Sequence, residues 1–319
     1  VAGDPIVVSG AASVPSAEAP PEGRRLVTIA HGTTGIADEC APSRNAGRSE
    51  MRLVAGALGT DHLIAATDYE GLGTPGRHPY LVGESEGRST IDAIVAAGQL
   101  PDAEPGSQLA IVGYSQGGHG ALWANQVAAE RAPDLEVVGT FAGAPASEVA
   151  LTLAAAPRLP QAGFAYMLIA GIEAAYPDDA DLEALLTPRG IELLDAVDEG
   201  CAADVFAAVA GIPVSELILA SGASSDPWRS LARQQDAGQV KTNDAPVLVI
   251  HSQTDAVVPP IFSAALLRRM CGNDHVIERR MLPEGSHTGA AIPAYQQAFE
   301  WLEARFSGAG PDPVSSCSE

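Results

Sequence analysis

Short, uninterrupted apolar runs that alternate with segments of helical spacing set the strongest limit on how this chain can fold. Residues 25–30 read as a buried strand, 43–58 as a helix and 62–66 as a second strand. The pattern continues through helix 84–97, strand 108–112, helix 116–129 and strand 136–141. Strands that are apolar throughout, rather than alternating, belong to a parallel sheet covered by helices on both faces. Residues 4–14 read instead as an extended edge strand. From about 147 to 238 the rhythm stops, and the chain is rich in Ala and Leu at helical spacing without a β-branched strand. It resumes with strand 246–250, helix 260–270, strand 275–282 and helix 290–306. The expected architecture is α/β, a mostly parallel doubly wound sheet with a helical cap inserted between two later strands. Residues 1–146 then form the first part of the core, 147–240 the cap, and 241–319 the second part with a C-terminal tail.

Composition agrees with one large domain carrying an insertion, or two modest ones. Of 319 residues 46% are hydrophobic and 18% charged, enough apolar surface to offset the entropy of ordering. Forty acidic residues against eighteen Lys and Arg give a net charge of -22, which repels a phosphate backbone and argues against nucleic acid as partner. The longest apolar stretch, 162–176, contains Glu173 and falls short of the roughly 20 residues that cross a bilayer, so no transmembrane helix is expected. Cys40, Cys201, Cys271 and Cys317 are far apart and form no CxxC, against a zinc or thioredoxin-type site. Two disulfides, in one of three pairings, are the favoured state and indicate export. Residues 1–23 lack the basic start and apolar run of a signal peptide, so a leader is expected to have been removed.

The chemistry concentrates after the strand at 108–112. There Gly113-Tyr114-Ser115-Gln116-Gly117-Gly118 joins an apolar strand to a helix of small residues. A serine on such a turn is lifted into the open, glycines two positions either side relieve crowding, and the helix start aims N–H groups at a developing negative oxygen. GxSxG alone is weak evidence, because Gly83-Glu84-Ser85-Glu86-Gly87 matches it too. No extended strand leads into that copy and two carboxylates flank its serine; it reads as the polar first turn of a helix.

A serine hydroxyl needs a base, and the base an orienting acid. Asp255 lies just past strand 246–250 and His287 just past strand 275–282, giving the chain order Ser, Asp, His. Asp68, after strand 62–66, is the rival acid; His119 and His251 read as structural, and Tyr69 with residues 71–76 as a flexible loop beside the site. Residues 30–35, Ala-His-Gly-Thr-Thr-Gly, follow the first central strand and suit a second oxyanion donor, with a Thr hydroxyl available as a third. Phe164, Tyr166, Met167, Leu168 and Ile169 could equally line an acyl pocket or fill the core of the cap.

In these segments, together with Asp38-Glu39-Cys40-Ala41-Pro42-Ser43 and Asp68-Tyr69-Glu70-Gly71, the sequence resembles the secreted lipases of the fungal lipase A type and their actinobacterial relatives. The resemblance implies an α/β-hydrolase core with a helical cap, hydrolysis of carboxylic esters, and no metal or organic cofactor. It implies Ser115, Asp255 and His287 as triad, with the backbone N–H groups of Gln116 and Thr34 as oxyanion donors. It also implies disulfides Cys40–Cys201 and Cys271–Cys317. Two departures stand out: the family usually has a further strand before residue 4, and the long lipid-binding flap of the fungal members is not evident. The substrate is then expected to be a small-molecule or lipid ester. A serine peptidase on the same fold and a non-catalytic binding protein are the rivals.

Overall fold

The computed structural model describes residues 5–48, 50–158, 162–308 and 313–318. Among them a seven-stranded sheet runs in the order β1-β3-β2-β4-β5-β6-β7. β2 (Arg24–Ala30), β3 (His62–Thr67), β4 (Pro105–Tyr114), β5 (Glu136–Gly143), β6 (Val247–Ser252) and β7 (Ile277–Leu282) pair in parallel. β1 (Gly10–Ser13) pairs antiparallel with β3 at the edge. The expected edge strand is thus shorter than its sequence signal, and residue 4 lies outside the described residues.

Helices cover both faces, which is why the inner strands tolerate no polar alternation. β3 and β6 are buried at every position. One apolar cluster holds Val27, Ile64, Val112 and Ile250 against Trp301 and Leu302 of the C-terminal helix, while a second holds Leu26, Leu63 and Ile111 against Ile91 and Ala124 from two helices on the other face. Alternate side chains of one strand therefore feed two cores. Each fully buried Leu or Ile contributes about 2 kcal/mol. The helices are α1 (Glu50–Leu58), α2 (Gly83–Ala97), α3 (Gln116–Arg131), α10 (Pro260–Gly272) and α11 (Ala291–Ser307). The expected helix 43–58 is broken: a 3-10 stretch, Pro42–Arg48, bends at Asn45 before α1 begins. Asp68 draws that bend inward by accepting hydrogen bonds from the backbone N–H (2.8 Å) and hydroxyl (2.5 Å) of Ser43.

Between β5 and β6 the chain forms α4 (Val149–Ala155), α5 (Ala162–Ala175), α6 (Pro188–Glu192), α7 (Asp195–Glu199), α8 (Ala202–Val209) and α9 (Trp228–Gln234). Its β-pairing among the described residues is limited to isolated bridges, Leu186 with Ile218 inside the segment and Cys201 with Gly35 of the loop after β2. Tyr166, Met167, Leu168 and Ile169 are fully buried in an apolar cluster shared with Ile36, Tyr80 and Leu81, and so pack as core; Phe164 is half-buried edge-on against Phe206. Among the described residues no helix is long and apolar enough to cross a membrane.

The disulfides are Cys40–Cys201 and Cys271–Cys317. The first joins the segment after β2 to the start of α8; the second joins α10 to the C-terminal tail, where Ser316 also accepts the Arg279 N–H at 3.0 Å.

Candidate active site

The parallel sheet sends the C-terminal ends of β2, β4, β6 and β7 to one rim, and their loops bring Ser115, Asp255 and His287 together. His287 Nε2 lies 2.8 Å from Ser115 Oγ, and His287 Nδ1 lies 2.6 Å from Asp255 Oδ2. Ser115 itself has φ 61° and ψ -120°, a sparsely populated conformation for a residue with a side chain. The surroundings enforce it. Ser115 N–H donates to Gly143 O at 2.8 Å, and its carbonyl accepts from His119 and Ala146. A Cβ at Gly113 would lie 2.0 Å from Gly117 O, and one at Gly117 would lie 2.1 Å from Ala30 O. Both glycines are therefore required by backbone approach, as the sequence pattern suggested.

Asp255 is buried, and its two oxygens divide the work. Oδ1 accepts the N–H groups of Val257 and Val258, both at 2.9 Å, which fixes the loop; Oδ2 faces His287 and, at 3.4 Å, His251. Burial pushes its pKa up, but hydrogen bonds from His251 and His287 outweigh that and hold it well below the usual carboxylate range. Asp255 thus stays ionised beside the imidazole. His251 Nε2 also meets Val258 O at 2.9 Å, in keeping with a structural role. The two loops are laced together: Ser252 and Thr254 hydroxyls donate to Gly285 O at 2.7 and 3.1 Å, and Tyr114 OH donates to His287 O at 2.7 Å.

The loop after β2 packs directly on the elbow, but its anchors are not legible from sequence. Gly32 N–H donates to Glu50 at 2.8 Å, and Tyr295 OH donates to the other oxygen of Glu50 at 3.3 Å. Burial drives the Glu50 pKa up to about 7, partly offset by these two donors. Thr33 Oγ1 pairs with Tyr80 OH at 2.8 Å, whereas Thr34 Oγ1 is buried without a hydrogen-bond partner among the described residues. Thr34 O accepts the Ala202 N–H at 2.9 Å, beside the bridge between Gly35 and Cys201, so the start of α8 holds this loop in place.

Asp68, the rival acid, is committed elsewhere. It accepts from the Ser9 hydroxyl at 2.7 Å as well as from Ser43. Tyr69, expected in a flexible loop, is instead fully buried: its OH donates to His31 O at 3.0 Å and its ring stacks on His78. The second GxSxG copy begins α2, as read, but its first turn is not simply polar. Glu86 is fully buried, and a Cβ at Gly83 or Gly87 would collide with Trp123 of α3. These glycines permit close packing of two helices.

The "Secretory lipase" family profile matches residues 44–312. The chain belongs to the secretory lipase family. Among relatives, Lipase A of Moesziomyces aphidis is 24% identical over 272 residues, 82% of this chain and 58% of that protein. The "Probable inactive lipase" of Mycobacterium tuberculosis is 24% identical over 271 residues, covering 81% and 58%. This secretory lipase relative thus spans little more than half the length of those proteins. The closed-state structure of Candida antarctica lipase A superposes with a TM-score of 0.81 at 21% identity, over 97% of this chain and 75% of that one. At that identity the likeness carries the α/β-hydrolase fold, and chemistry has to be argued from the side chains.

Proposed function

We propose that this protein is a secreted carboxylic ester hydrolase in which Ser115 is the nucleophile, His287 the general base and then acid, and Asp255 the group that orients the imidazole. One observation carries the proposal: an unbroken relay, 2.6 Å from Asp255 to His287 and 2.8 Å from His287 to Ser115, at a serine held at φ 61°. A relative named as inactive shows that membership alone does not decide activity; here the three side chains are present and in contact.

In the proposed cycle Ser115 Oγ attacks the ester carbonyl carbon as its proton passes to His287 Nε2. The tetrahedral oxyanion is held by the backbone N–H groups of Gln116 and Thr34. Collapse expels the alcohol, which takes the proton from His287, and leaves an acyl-enzyme. Water, deprotonated by the same imidazole, then releases the acid. No step calls for a metal or organic cofactor. Export is supported by the two disulfides and by the family, and an ester lipid as substrate by the name of the Moesziomyces relative. We further propose that residues 147–240 act as a cap on a core made of 1–146 and 241–319.

Nitrophenyl esters from acetate to palmitate, assayed beside a peptide amide, test the proposal. Ester turnover is expected, with Ser115→Ala lowering it by about 10⁴-fold or more and abolishing fluorophosphonate labelling. Faster cleavage of the amide would favour a peptidase. Failure of the wild-type chain to be labelled would favour a binding protein.

A further inference from the structure

The second GxSxG copy leaves a buried carboxylate directly behind the elbow. Glu86 and His119 have no exposed side-chain surface. Glu86 Oε1 accepts from Gln116 Nε2 at 2.8 Å and from the Leu81 N–H at 3.1 Å, and Glu86 Oε2 lies 2.7 Å from His119 Nδ1. On its far side His119 Nε2 lies 2.8 Å from Gln235 O. Trp123 Nε1–H donates toward the same His119 nitrogen at 3.1 Å and toward Gln235 O at 3.3 Å, so the imidazole is held on both sides. Gln235, just past α9, also accepts the Gly83 N–H on its side-chain oxygen at 3.1 Å.

The second Gln116 amide hydrogen is used too. His78 Nδ1 donates to Glu70 O at 2.9 Å, which leaves Nε2 as an acceptor 3.1 Å from Gln116 Nε2. Burial supports the neutral ring by lowering the His78 pKa to about 4. The side chain of Gln116 is therefore clamped from two sides, and its backbone N–H is the donor proposed above for the oxyanion.

We propose that Glu86 is a positioning residue that aims the Gln116 backbone N–H by holding its side-chain amide. This inference rests on the ester hydrolase reading. Because the elbow must place its donors to within a fraction of an ångström, a slack Gln116 loses stabilisation in the transition state more than in the bound ester. The effect belongs in kcat and not in KM.

The test compares Glu86→Ala, Glu86→Gln, Gln116→Met and the double variant Glu86→Ala/Gln116→Met. Each is assayed for kcat per labelled serine, for KM on nitrophenyl butyrate, and for inhibition by an alkyl boronic acid, whose serine adduct places an oxygen in the oxyanion position. Glu86→Ala and Gln116→Met are expected to lower kcat about 10- to 100-fold with KM within about threefold, and to weaken boronate binding in parallel. Glu86→Gln, which keeps an acceptor for Gln116, is expected to restore most of the activity, and the double variant to be no worse than Gln116→Met. A purely structural role would lower Tm and leave kcat per labelled serine and boronate affinity unchanged, which overturns the inference. If Glu86→Ala does not fold, unchanged kcat and boronate affinity in Gln116→Met overturn it equally. Absence of ester turnover in the wild-type chain would instead sink the hydrolase reading itself.

Discussion

At the scale of single residues, the site is built from groups held in conformations that water would not select. Ser115 at φ 61° costs on the order of 1–3 kcal/mol, and its hydrogen bond to Gly143 O and the loop contact of Ala146 hold it there. Glu50 is a second such group, a carboxyl kept under the loop after β2 with its pKa raised to about 7. Below pH 4.5 it is protonated in folded and unfolded chains alike. Between 4.5 and 7 the unfolded chain ionises more readily, so stability falls as pH rises, and the deficit is complete above 7. Replacing Glu50 by Gln keeps an acceptor for Gly32 and removes the titration. The Tm of Glu50→Gln is expected to match wild type near pH 4 and to exceed it at pH 8, by up to about 3 kcal/mol of stability. A gap that does not change with pH would contradict this assignment. The residues proposed for catalysis were legible because Ser115, Asp255 and His287 follow apolar strands in order. Glu50 and Glu86 were not, because sequence marks a carboxylate as polar and does not say which donors will surround it.

Among the elements, two copies of one five-residue pattern show how context divides identical signals. In the first, glycines let β4 turn into α3 against the end of β2; in the second, they let α2 lie against Trp123. Gly117→Ala would place a methyl group 2.1 Å from Ala30 O, with backbone on every near side and no side chain to yield. It is expected to lower kcat at least 100-fold and to reduce Tm by several degrees. Gly56→Ala is the matched control, on the exposed face of α1 with nothing within 4 Å of the added carbon; it is expected to leave kcat unchanged and raise stability by about 0.5–1 kcal/mol. Equal losses from both would show that Gly117 is not special. Element types read well from periodicity, while the break in the helix expected at 43–58 did not. That break depends on Asp68, 25 residues further along, capturing Ser43.

For the molecule as a whole, the insertion and the sheet are joined at the site. Cys40–Cys201 bridges residues 161 apart and sits beside the contact of Ala202 with Thr34, whereas Cys271–Cys317 bridges 46 and ties down the tail. Removing the first by paired Ser substitutions is expected to cost up to about 5 kcal/mol by chain entropy, and removing the second about 4. Function should separate them more sharply than stability. Well below both melting temperatures, loss of Cys40–Cys201 is expected to lower kcat several-fold by freeing the Thr34 loop, and loss of Cys271–Cys317 to leave kcat unchanged. Equal kcat in both would uncouple the insertion from the proposed oxyanion loop.

The parallel sheet, the place of the helical insertion and the three side chains at strand ends could be read along the chain, because apolar runs, helical periodicity and residue order are local properties of the polymer. Which polar groups face one another across α2, α3 and the loop after β2 emerges only on folding. There Glu86 meets Gln116, Glu50 meets Gly32 and Thr34 Oγ1 is left without a partner among the described residues. Such contacts are fixed by packing between segments distant in the chain, and the cost of burying an unpaired polar group has no counterpart in any stretch of sequence read alone.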